Sequence, residues 1–330
     1  MLLDIRDLNI VYRMRNKAIY AVNNVNFSLE KGKSLGIIGE SGSGKSTLAM
    51  AILKMHNLKN TEVTGQIIFE GRDLLALDEK QFKEYRWTRI AAVFQKSMNN
   101  LSPVHKIGTH FEDIYRVHEP DISSSEIRER VYALFHMVNL SPRVYTCYPH
   151  ELSGGMLQRV SIALSLIFHP TLLIMDESTT ALDVITQGQI LEEIKELEKV
   201  VDVTRIMITH DLFVVATACQ QILVLYAGDM MEYGDVRDVL NHPMHPYTKA
   251  LIASFPSLRG EKREVHSIPG TLPDLSVKTR GCAFYDRCRA HREICRQEKP
   301  VVCQTGGLHT VCCHLYGKIR ETDVKEGVNR

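Results

Sequence analysis

A glycine-rich loop that contains a lysine limits this chain to a small set of folds. Residues 39–47 have the sequence GESGSGKST and match the pattern G-x-x-x-x-G-K-S/T at every position. The apolar residues 34–38 before the loop predict a buried strand, and residues 48–55 after it predict a helix. This order is typical of a phosphate-binding loop, because loop N–H groups and the positive end of the helix dipole converge on phosphate oxygens. The alternative is a glycine- and serine-rich turn that contains a lysine by chance.

The residue types in and near this loop indicate how a nucleotide would be held. Lys45 is expected to reach the β- and γ-phosphates, and the Ser46 hydroxyl is expected to help to hold Mg²⁺. Tyr12 and Tyr20 are both candidates to stack on the base, although packing is the commoner role for a tyrosine in a strand. The loop residues predicted to bind the nucleotide are Gly39, Ser41, Gly42, Ser43, Gly44, Lys45, Ser46 and Thr47.

The length and the charge of the chain exclude several classes of protein. Its 330 residues suffice for one large domain with an appendage, or for two domains. A formal net charge of +1 gives no indication that the partner is a nucleic acid. No apolar run approaches the length of about 18 residues that a transmembrane helix needs, and the first residues lack the pattern of a signal peptide. We therefore expect the protein to stay in the cytoplasm.

Strand patterns alternate with helix patterns along residues 1–256 and predict an α/β fold. Residues 100–155 have mainly helical patterns, and we expect them to form an insertion between the two halves of a nucleotide-binding sheet. A hairpin at 221–234 is expected to close this domain. The remaining strand predictions cover residues 3–12, 19–29, 34–38, 64–71, 89–94, 171–177 and 204–211.

Two carboxylates and a histidine follow predicted strands of the sheet. Four apolar residues end in Asp176 and Glu177, where Mg²⁺ and an attacking water would lie beside the phosphate loop. We expect Asp176 to hold Mg²⁺ through a water and Glu177 to act as the general base. His210 ends another strand and would contact the γ-phosphate and orient Glu177 or the water. A single histidine at a strand end is otherwise more often a surface or packing residue.

Two further stretches predict contacts beyond the first phosphate loop. Ser153, Gly154 and Gly155 begin a helix, so their hydroxyl and N–H groups make a second anion site that would serve the ATP of another subunit. An ordinary helix cap is the alternative for Ser153. Gln95 follows a strand and could ligate Mg²⁺ and report the state of the γ-phosphate to a partner protein. Residues 96–115 are either the docking surface for that partner or a plain surface loop.

The composition changes near residue 256, where prolines and glycines interrupt the periodic patterns. We therefore predict a nucleotide-binding domain at 1–256 and a C-terminal extension at 257–330. Six of the eight cysteines fall between Cys282 and Cys313, which in a reducing compartment favours a metal site over disulfides. Their spacing lacks the C-x₂-C pair of common zinc sites. Four thiolates on longer loops can hold an iron–sulfur cluster, with Zn²⁺ or buried free thiols as the alternatives.

The octet at 152–159, LSGGMLQR, resembles the signature of ABC proteins and follows the phosphate loop, or Walker A motif, by about 110 residues. The chain resembles the nucleotide-binding subunits of ABC transporters, in particular the oligopeptide/dipeptide and nickel importers. In that family Gln95 matches the Q-loop, residues 181–183 the D-loop and His210 the H-loop, and Tyr12 is the better match for the base-stacking aromatic. NLSPV at 100–104, HPYT at 245–248 and the C-terminal cysteines resemble the importer group. This chain has Ser178 where the family usually has proline, and the difference removes no reacting group.

The resemblance implies an ABC cassette, a P-loop NTPase with a RecA-like core sheet, an antiparallel β subdomain and a helical insertion, followed by a small Cys-rich C-terminal domain. It implies ATP and Mg²⁺ as cofactors and two ATPase subunits, commonly two paralogues, arranged head to tail around two ATPs. It further implies two integral membrane permease subunits, an extracytoplasmic solute-binding protein and a place at the cytoplasmic face of the cell membrane. Some members carry a [4Fe–4S] centre, for which the matching ligands are Cys282, Cys288, Cys295 and Cys313.

The expected activity is ATP hydrolysis that powers the import of peptides. Nickel or another small solute is the alternative cargo. A soluble ABC ATPase that acts on ribosomes or DNA usually has two cassettes or a long coiled-coil insertion, and this chain has one cassette and neither feature. A non-catalytic ABC subunit would have lost reacting groups, whereas Lys45, Glu177 and His210 are all present.

Overall fold

The computed structural model of the protein describes residues 1–94, 101–177, 184–255 and 267–317. Within those ranges the strands form two sheets, one of eight strands and one of four. The strands are β1 Leu3–Arg13, β2 Ala18–Leu29, β3 Ser34–Ile38, β4 Thr61–Phe69, β5 Arg72–Asp73, β6 Ile90–Phe94, β7 Leu172–Asp176, β8 Thr204–Ile208, β9 Gln221–Tyr226, β10 Asp229–Asp235, β11 Val302–Gly306 and β12 His309–Cys312. The α-helices are α1 Lys45–Ile52, α2 Glu79–Lys83, α3 Ile107–His118, α4 Ser124–Met137, α5 Gly154–Ser165, α6 Val184–Val201, α7 Leu212–Ala218, α8 Val236–Asn241, α9 Pro246–Ala253 and α10 Ile294–Gln297.

Five parallel strands form one side of the larger sheet, with β6 at its edge. Their order is β6, β7, β8, β3 and β9. β3 and β8 are apolar along most of their length and buried at every residue, as expected for strands covered on both faces. Because parallel strands end at one edge of a sheet, the residues that follow β3, β7 and β8 are brought together there.

The smaller sheet is antiparallel, in the order β2, β1, β4, β5, and packs against α1. Ile5, Leu8 and Ile10 of β1 are buried in one core with Leu48 and Ile52 of α1. The phosphate-binding loop is therefore held between two sheets that share a hydrophobic core. This mixed architecture confirms the predicted α/β fold with an antiparallel subdomain.

The helical insertion shares a hydrophobic core with one face of the larger sheet. The Ser123 hydroxyl caps α4 by accepting the N–H of Glu126 at 3.2 Å. Phe111 of α3 and Phe135 of α4 pack edge to face with their ring centroids 5.4 Å apart. Both rings are buried, so the two helices are fixed against each other. Among the described residues, no helix is both long and apolar enough to cross a membrane.

The C-terminal residues 267–317 join the core instead of standing apart from it. β12 pairs antiparallel with β10, so that the hairpin of β11 and β12 extends the larger sheet. Phe284 is buried in the same cluster as Tyr226 and Tyr247. The hairpin predicted at 221–234 is present as β9 and β10, and β12 and β11 extend the sheet beyond it. The domain boundary at 256 stays a prediction, since it falls outside the described residues.

Candidate nucleotide-binding site

The phosphate-binding loop connects β3 to α1 and takes a shape that only glycine allows at two positions. Gly39 has φ +154° and Gly44 has φ +98°. A Cβ atom at Gly39 would lie 2.1 Å from the carbonyl oxygen of Leu225, and one at Gly44 would lie 2.3 Å from that of Ala21. The backbone of the loop is thus pressed against two strands, and any side chain at these positions would push the loop out of place.

Lys45 lies at the base of the loop and is almost fully buried. Its ammonium group donates to the carbonyl oxygens of Gly39 at 2.8 Å and Glu40 at 2.9 Å. Burial lowers the pKa of Lys45, and the negative charges of Glu177, then Asp176, then Glu40 oppose this shift. A cation surrounded by loop backbone and carboxylates is placed to bind phosphate oxygens.

The rest of the loop surrounds this ammonium group. Ser41 and Gly42 are exposed at its tip, whereas Ser43 is buried with its hydroxyl 3.5 Å from the Lys45 nitrogen. Ser46 and Thr47 lie in the first turn of α1. The predicted phosphate contacts are therefore grouped around the N-terminus of this helix, where unpaired N–H groups favour an anion.

Ser46 and Asp176 bring two oxygens together at the carboxyl edge of the sheet. The Ser46 hydroxyl donates to a carboxylate oxygen of Asp176 at 3.1 Å. Neighbouring ligands of an octahedral Mg²⁺ lie about 3 Å apart, because each Mg–O bond is about 2.1 Å long. Burial raises the pKa of Asp176, while the bond from Ser46 acts in the opposite direction. The donor atoms and their separation fit a magnesium ion.

Glu177 and His210 meet beside this oxygen pair. Glu177 has φ +45°, an uncommon backbone conformation that turns the chain sharply after β7, and its N–H donates to the carbonyl of Ile208 at 2.8 Å. Nδ1 of His210 lies 3.5 Å from a carboxylate oxygen of Glu177. The imidazole is 62% exposed and Glu177 is 27% exposed, so both face the opening of the site.

The two tyrosines that were candidates for base stacking have different surroundings. The Tyr12 hydroxyl lies 3.3 Å from the Thr47 hydroxyl at the start of α1, so its ring is next to the phosphate loop. Tyr20 is bound by the C-terminal extension: its N–H donates to Leu275 at 2.9 Å, and the Lys278 ammonium lies 5.9 Å from its ring centroid. This position favours Tyr12 for a base, and its role stays a prediction.

Known proteins share both the motifs and the fold. The ABC transporter family matches residues 22–180, and the C-terminal region of oligopeptide/dipeptide transporters matches residues 231–295. The dipeptide transport ATP-binding protein DppD of Caldanaerobacter subterraneus subsp. tengcongensis is 38% identical over 317 residues, which span 96% of this chain and 97% of that protein. The oligopeptide transport ATP-binding protein OppD of Escherichia coli is 40% identical over 313 residues, or 94% of this chain and 92% of that protein.

This chain belongs to the ATP-binding proteins of the oligopeptide/dipeptide ABC transporter family. The solved structure of a dimeric bacterial ABC transporter cassette has a TM-score of 0.64 at 29% identity and covers 72% of this chain and 99% of that one. The predicted family and the ABC cassette fold are confirmed, and the chain is an ABC ATPase.

The signature residues of the ABC ATPase lie at the start of α5. Ser153 caps this helix, and its hydroxyl accepts the N–H of Met156 at 3.3 Å. Ser153 and Gly154 are exposed and Gly155 is half-buried, so the start of α5 lies at the surface. The capping role proposed as the alternative is present in the single chain. The second anion site for another subunit's ATP stays a prediction.

Some predicted residues lie outside the described part of the chain. These are Gln95 of the Q-loop, Ser178 after the two carboxylates, and residues 181–183 of the D-loop. Their predicted roles are therefore not tested. The described part of the predicted docking segment begins at Leu101 and exposes Val104 to solvent.

The structure does not support the predicted metal centre. All eight cysteines lie in the described residues, and within these residues no group of three or more His, Cys, Asp or Glu side chains could hold a metal ion. Burial raises the pKa of Cys282 to about 12, with smaller contributions from Cys295 and Cys313 among others, and burial also raises the pKa of Cys288. These thiols are neighbours that pack as neutral, weakly polar side chains.

Sequence reasoning missed a contact between the extension and the phosphate loop. The Arg287 guanidinium donates from Nη1 to both carboxylate oxygens of Glu40 at 3.0 Å. The N–H of Glu40 donates to the Tyr247 hydroxyl at 3.0 Å. Glu40 occupies a position that the loop pattern leaves open, so the pattern carries no signal for these contacts. Tyr247 was noted only as part of the HPYT stretch that resembles the family, and Arg287 only precedes a predicted ligand, Cys288.

Proposed function

We propose that this ABC ATPase powers the import of peptides across the cell membrane. The observation that supports it most is the meeting of Lys45, Ser46, Asp176, Glu177 and His210 at one edge of an ABC cassette. The cargo follows from the relatives, which are named for dipeptide and oligopeptide transport, and from the match to the C-terminal region of those transporters.

Each residue at this edge has a proposed task. Lys45 and the loop N–H groups bind the phosphates, and Ser46 and Asp176 hold Mg²⁺, which neutralises phosphate charge. Glu177 accepts a proton from the attacking water, and His210, 3.5 Å away, holds that carboxylate in position. Gln95 is proposed to complete the magnesium ligands and Tyr12 to stack on the base.

The test uses the full chain with the permeases that copurify with it from native membranes, reconstituted in proteoliposomes. We expect the uptake of a labelled peptide to require ATP on the side of the ABC ATPase. A complex with Lys45→Ala should take up none, because the phosphates lose their buried cation. Uptake of nickel ions and not of peptides would overturn the proposed cargo, and equal uptake by the Lys45→Ala complex would overturn the proposed ATP site.

We also propose that two ATPase subunits, commonly paralogues, face each other so that Ser153, Gly154 and Gly155 of one bind the ATP of the other. The position of the start of α5 at the surface and the likeness to a dimeric cassette support this arrangement. Two permeases and an extracytoplasmic binding protein complete the proposed complex at the cytoplasmic face of the membrane.

A cleft of about 530 Å³ supports a docking place for the permeases. It lies between α2 and α3, near the predicted docking segment 96–115. Trp87 and the exposed Val117 supply its apolar surface, while Lys80, Lys83 and Arg86 supply positive charge and Glu79, the ion-pair partner of Arg86, supplies negative charge. A permease segment with apolar and acidic side chains would fit these walls.

The finer proposal for the extension is a [4Fe–4S] cluster on Cys282, Cys288, Cys295 and Cys313, with Zn²⁺ as the alternative. Its support is the ligand spacing and the electrostatic influence of these thiols on one another. The thiols would have to move closer together, since they form no ligand group here. About four irons per chain in anaerobically purified protein would support the cluster. Stoichiometric zinc would change the metal, and protein without metal would contradict the proposal.

A further inference from the structure

We propose that Arg287 of the C-terminal extension and Tyr247 of α9 position the phosphate-binding loop through Glu40, and that these contacts set the affinity of the ABC ATPase for nucleotide. The proposal rests on the assignment of ATP to the loop that contains Lys45. It gives Arg287 and Tyr247 a positioning role, because neither of them is expected to touch the nucleotide.

Glu40 is held by three partners at once. Its N–H donates to the Tyr247 hydroxyl at 3.0 Å, and its carbonyl accepts from the Lys45 ammonium at 2.9 Å. Its carboxylate accepts from Arg287 through both oxygens at 3.0 Å. Every polar group of this loop residue is therefore engaged, and two of its three partners lie outside the loop.

Arg287 is itself fixed from the side of the extension. Nε donates to the carbonyl of Pro269 at 2.7 Å, and Nη2 donates to that of Ile268 at 3.1 Å. The guanidinium also lies over the ring of Tyr226, 5.5 Å from its centroid. Only 6% of the Arg287 side chain is exposed. A buried arginine that is bonded through all three of its nitrogens holds its partner in place, unlike a mobile surface ion pair.

The charge of Glu40 explains why the position of this residue matters. Glu40 raises the pKa of Lys45, which places its negative charge within electrostatic reach of the ammonium that is expected to bind phosphate. An unpaired carboxylate there would repel the phosphates and compete for Lys45. The guanidinium of Arg287 balances this charge and fixes the carboxylate through two hydrogen bonds.

Tyr247 supplies the second constraint. It is completely buried, and burial raises the pKa of its hydroxyl, so the group stays neutral and accepts the N–H of Glu40. If this acceptor were removed, the partly buried N–H of Glu40 would lose its hydrogen bond, which costs free energy. Tyr247→Phe should therefore weaken nucleotide binding less than Arg287→Met, since it removes a hydrogen bond and leaves the charge balance unchanged.

The experiment measures the Kd of the full chain for Mg-ATP by calorimetry. Arg287→Met is expected to weaken binding about tenfold. In a Glu40→Gln background the same change should weaken binding by less than about threefold, since no carboxylate remains to be balanced. Arg287→Lys should recover part of the affinity, because it restores the charge without the Nε and Nη2 bonds that hold the side chain to Pro269 and Ile268. In the assembled complex, Arg287→Met should raise KM for ATP more than it changes kcat.

Lys299→Met is the matched control. Lys299 also joins the extension to the core by an ion pair, 2.6 Å from Asp229, but this pair is not bonded to the loop. The change should lower the melting temperature, because it leaves the buried Asp229 unpaired, and should keep the Kd within about twofold. An equal loss of affinity in Lys299→Met would show that the extension acts only through stability, and would overturn the proposal.

Two further outcomes would also overturn it. One is an Arg287→Met protein whose Kd for Mg-ATP lies within about twofold of the wild-type value. The other is a loss of affinity on Arg287→Met that is equally large in the Glu40→Gln background. Lys45→Ala separates this failure from a failure of the ATP site. If Lys45→Ala abolishes binding and Arg287→Met does not change it, only the positioning role is wrong. If the wild type and Lys45→Ala bind ATP equally, the site and the positioning role both fail.

Discussion

The phosphate-binding loop and the cysteine-rich extension both carry motifs, yet only the loop takes the shape that its motif predicts. The loop is contiguous in sequence, and glycines at fixed positions determine its backbone, as the close approach of Gly39 to Leu225 shows. The cysteines are spread from 282 to 313, so their separation depends on how several irregular segments pack. A local motif predicts geometry, whereas a dispersed motif predicts only which residues are available.

The largest expected effect concerns Glu177, which follows β7 at the edge of the sheet beside the phosphate-binding loop. Glu177→Gln should lower ATP turnover about 10³-fold, because it removes the general base. The phosphate ligands remain, so Mg-ATP should still bind and the ATP-bound dimer should accumulate. Single-turnover hydrolysis and nucleotide binding by the assembled complex would check both. Turnover within a few-fold of the wild type would show that Glu177 is not the base.

The next effect tests whether the extension is part of the core. Phe284 is buried and packs on Tyr226 and Tyr247, with ring centroids 5.2 and 5.3 Å away. Phe284→Ala should lower the free energy of unfolding by about 3 kcal/mol, measured in urea. Phe213→Ala is the control, since Phe213 is exposed and its loss should cost less than about 0.5 kcal/mol. Equal effects of the two changes would mean that the extension is not packed on the core.

A third prediction tests whether a single chain forms a complete site for ATP hydrolysis. Ser153→Arg should reduce hydrolysis in the assembled complex about 100-fold, because the bulky side chain fills the place proposed for the other subunit's phosphate. The isolated chain should bind ATP with its usual Kd, since the loop around Lys45 is untouched. Loss of binding by the isolated chain would contradict the proposed arrangement of two subunits.

The smallest expected effect is a dependence of the stability on pH, which tests the junction between the two regions. Burial lowers the pKa of His245 to about 3, and the neutral ring accepts the N–H of Tyr247 at the start of α9. The unfolded chain binds a proton below its ordinary pKa of 6.5 and the folded chain does not, so stability is lost as the pH falls from 6.5 towards 3. We expect His245 to account for a loss of about 2 kcal/mol at about pH 5.

The variant His245→Asn separates this residue from other groups that titrate in acid. Asparagine can accept the same N–H but carries no charge, so the acid-dependent loss of stability should shrink. Urea unfolding at neutral and acidic pH would measure the difference. An unchanged dependence on pH would assign the effect to other groups.

Sequence reasoning found the parts of the molecule that have local causes. The apolar run of β7 predicted a buried strand and placed Asp176 and Glu177 at its end, and the helical patterns in 100–155 predicted the helices that form there as α3 and α4. The pair of Glu40 and Arg287 could not be predicted in this way, because its members are 247 positions apart and no pattern relates them. The strand β11 was missed because it is short and mostly exposed, which leaves no periodic signal.

The pairing of β12 with β10 also has a consequence for solubility. An unpaired strand edge is a template for another chain, and natural proteins protect such edges. β10 is buried at six of its seven residues and includes Met230, Met231 and Tyr233, whereas β11, which becomes the outer strand, is short and mostly exposed. A chain cut after residue 256 would keep the phosphate-binding loop, Asp176, Glu177 and His210. It would nevertheless expose the apolar edge of β10 and be prone to aggregate.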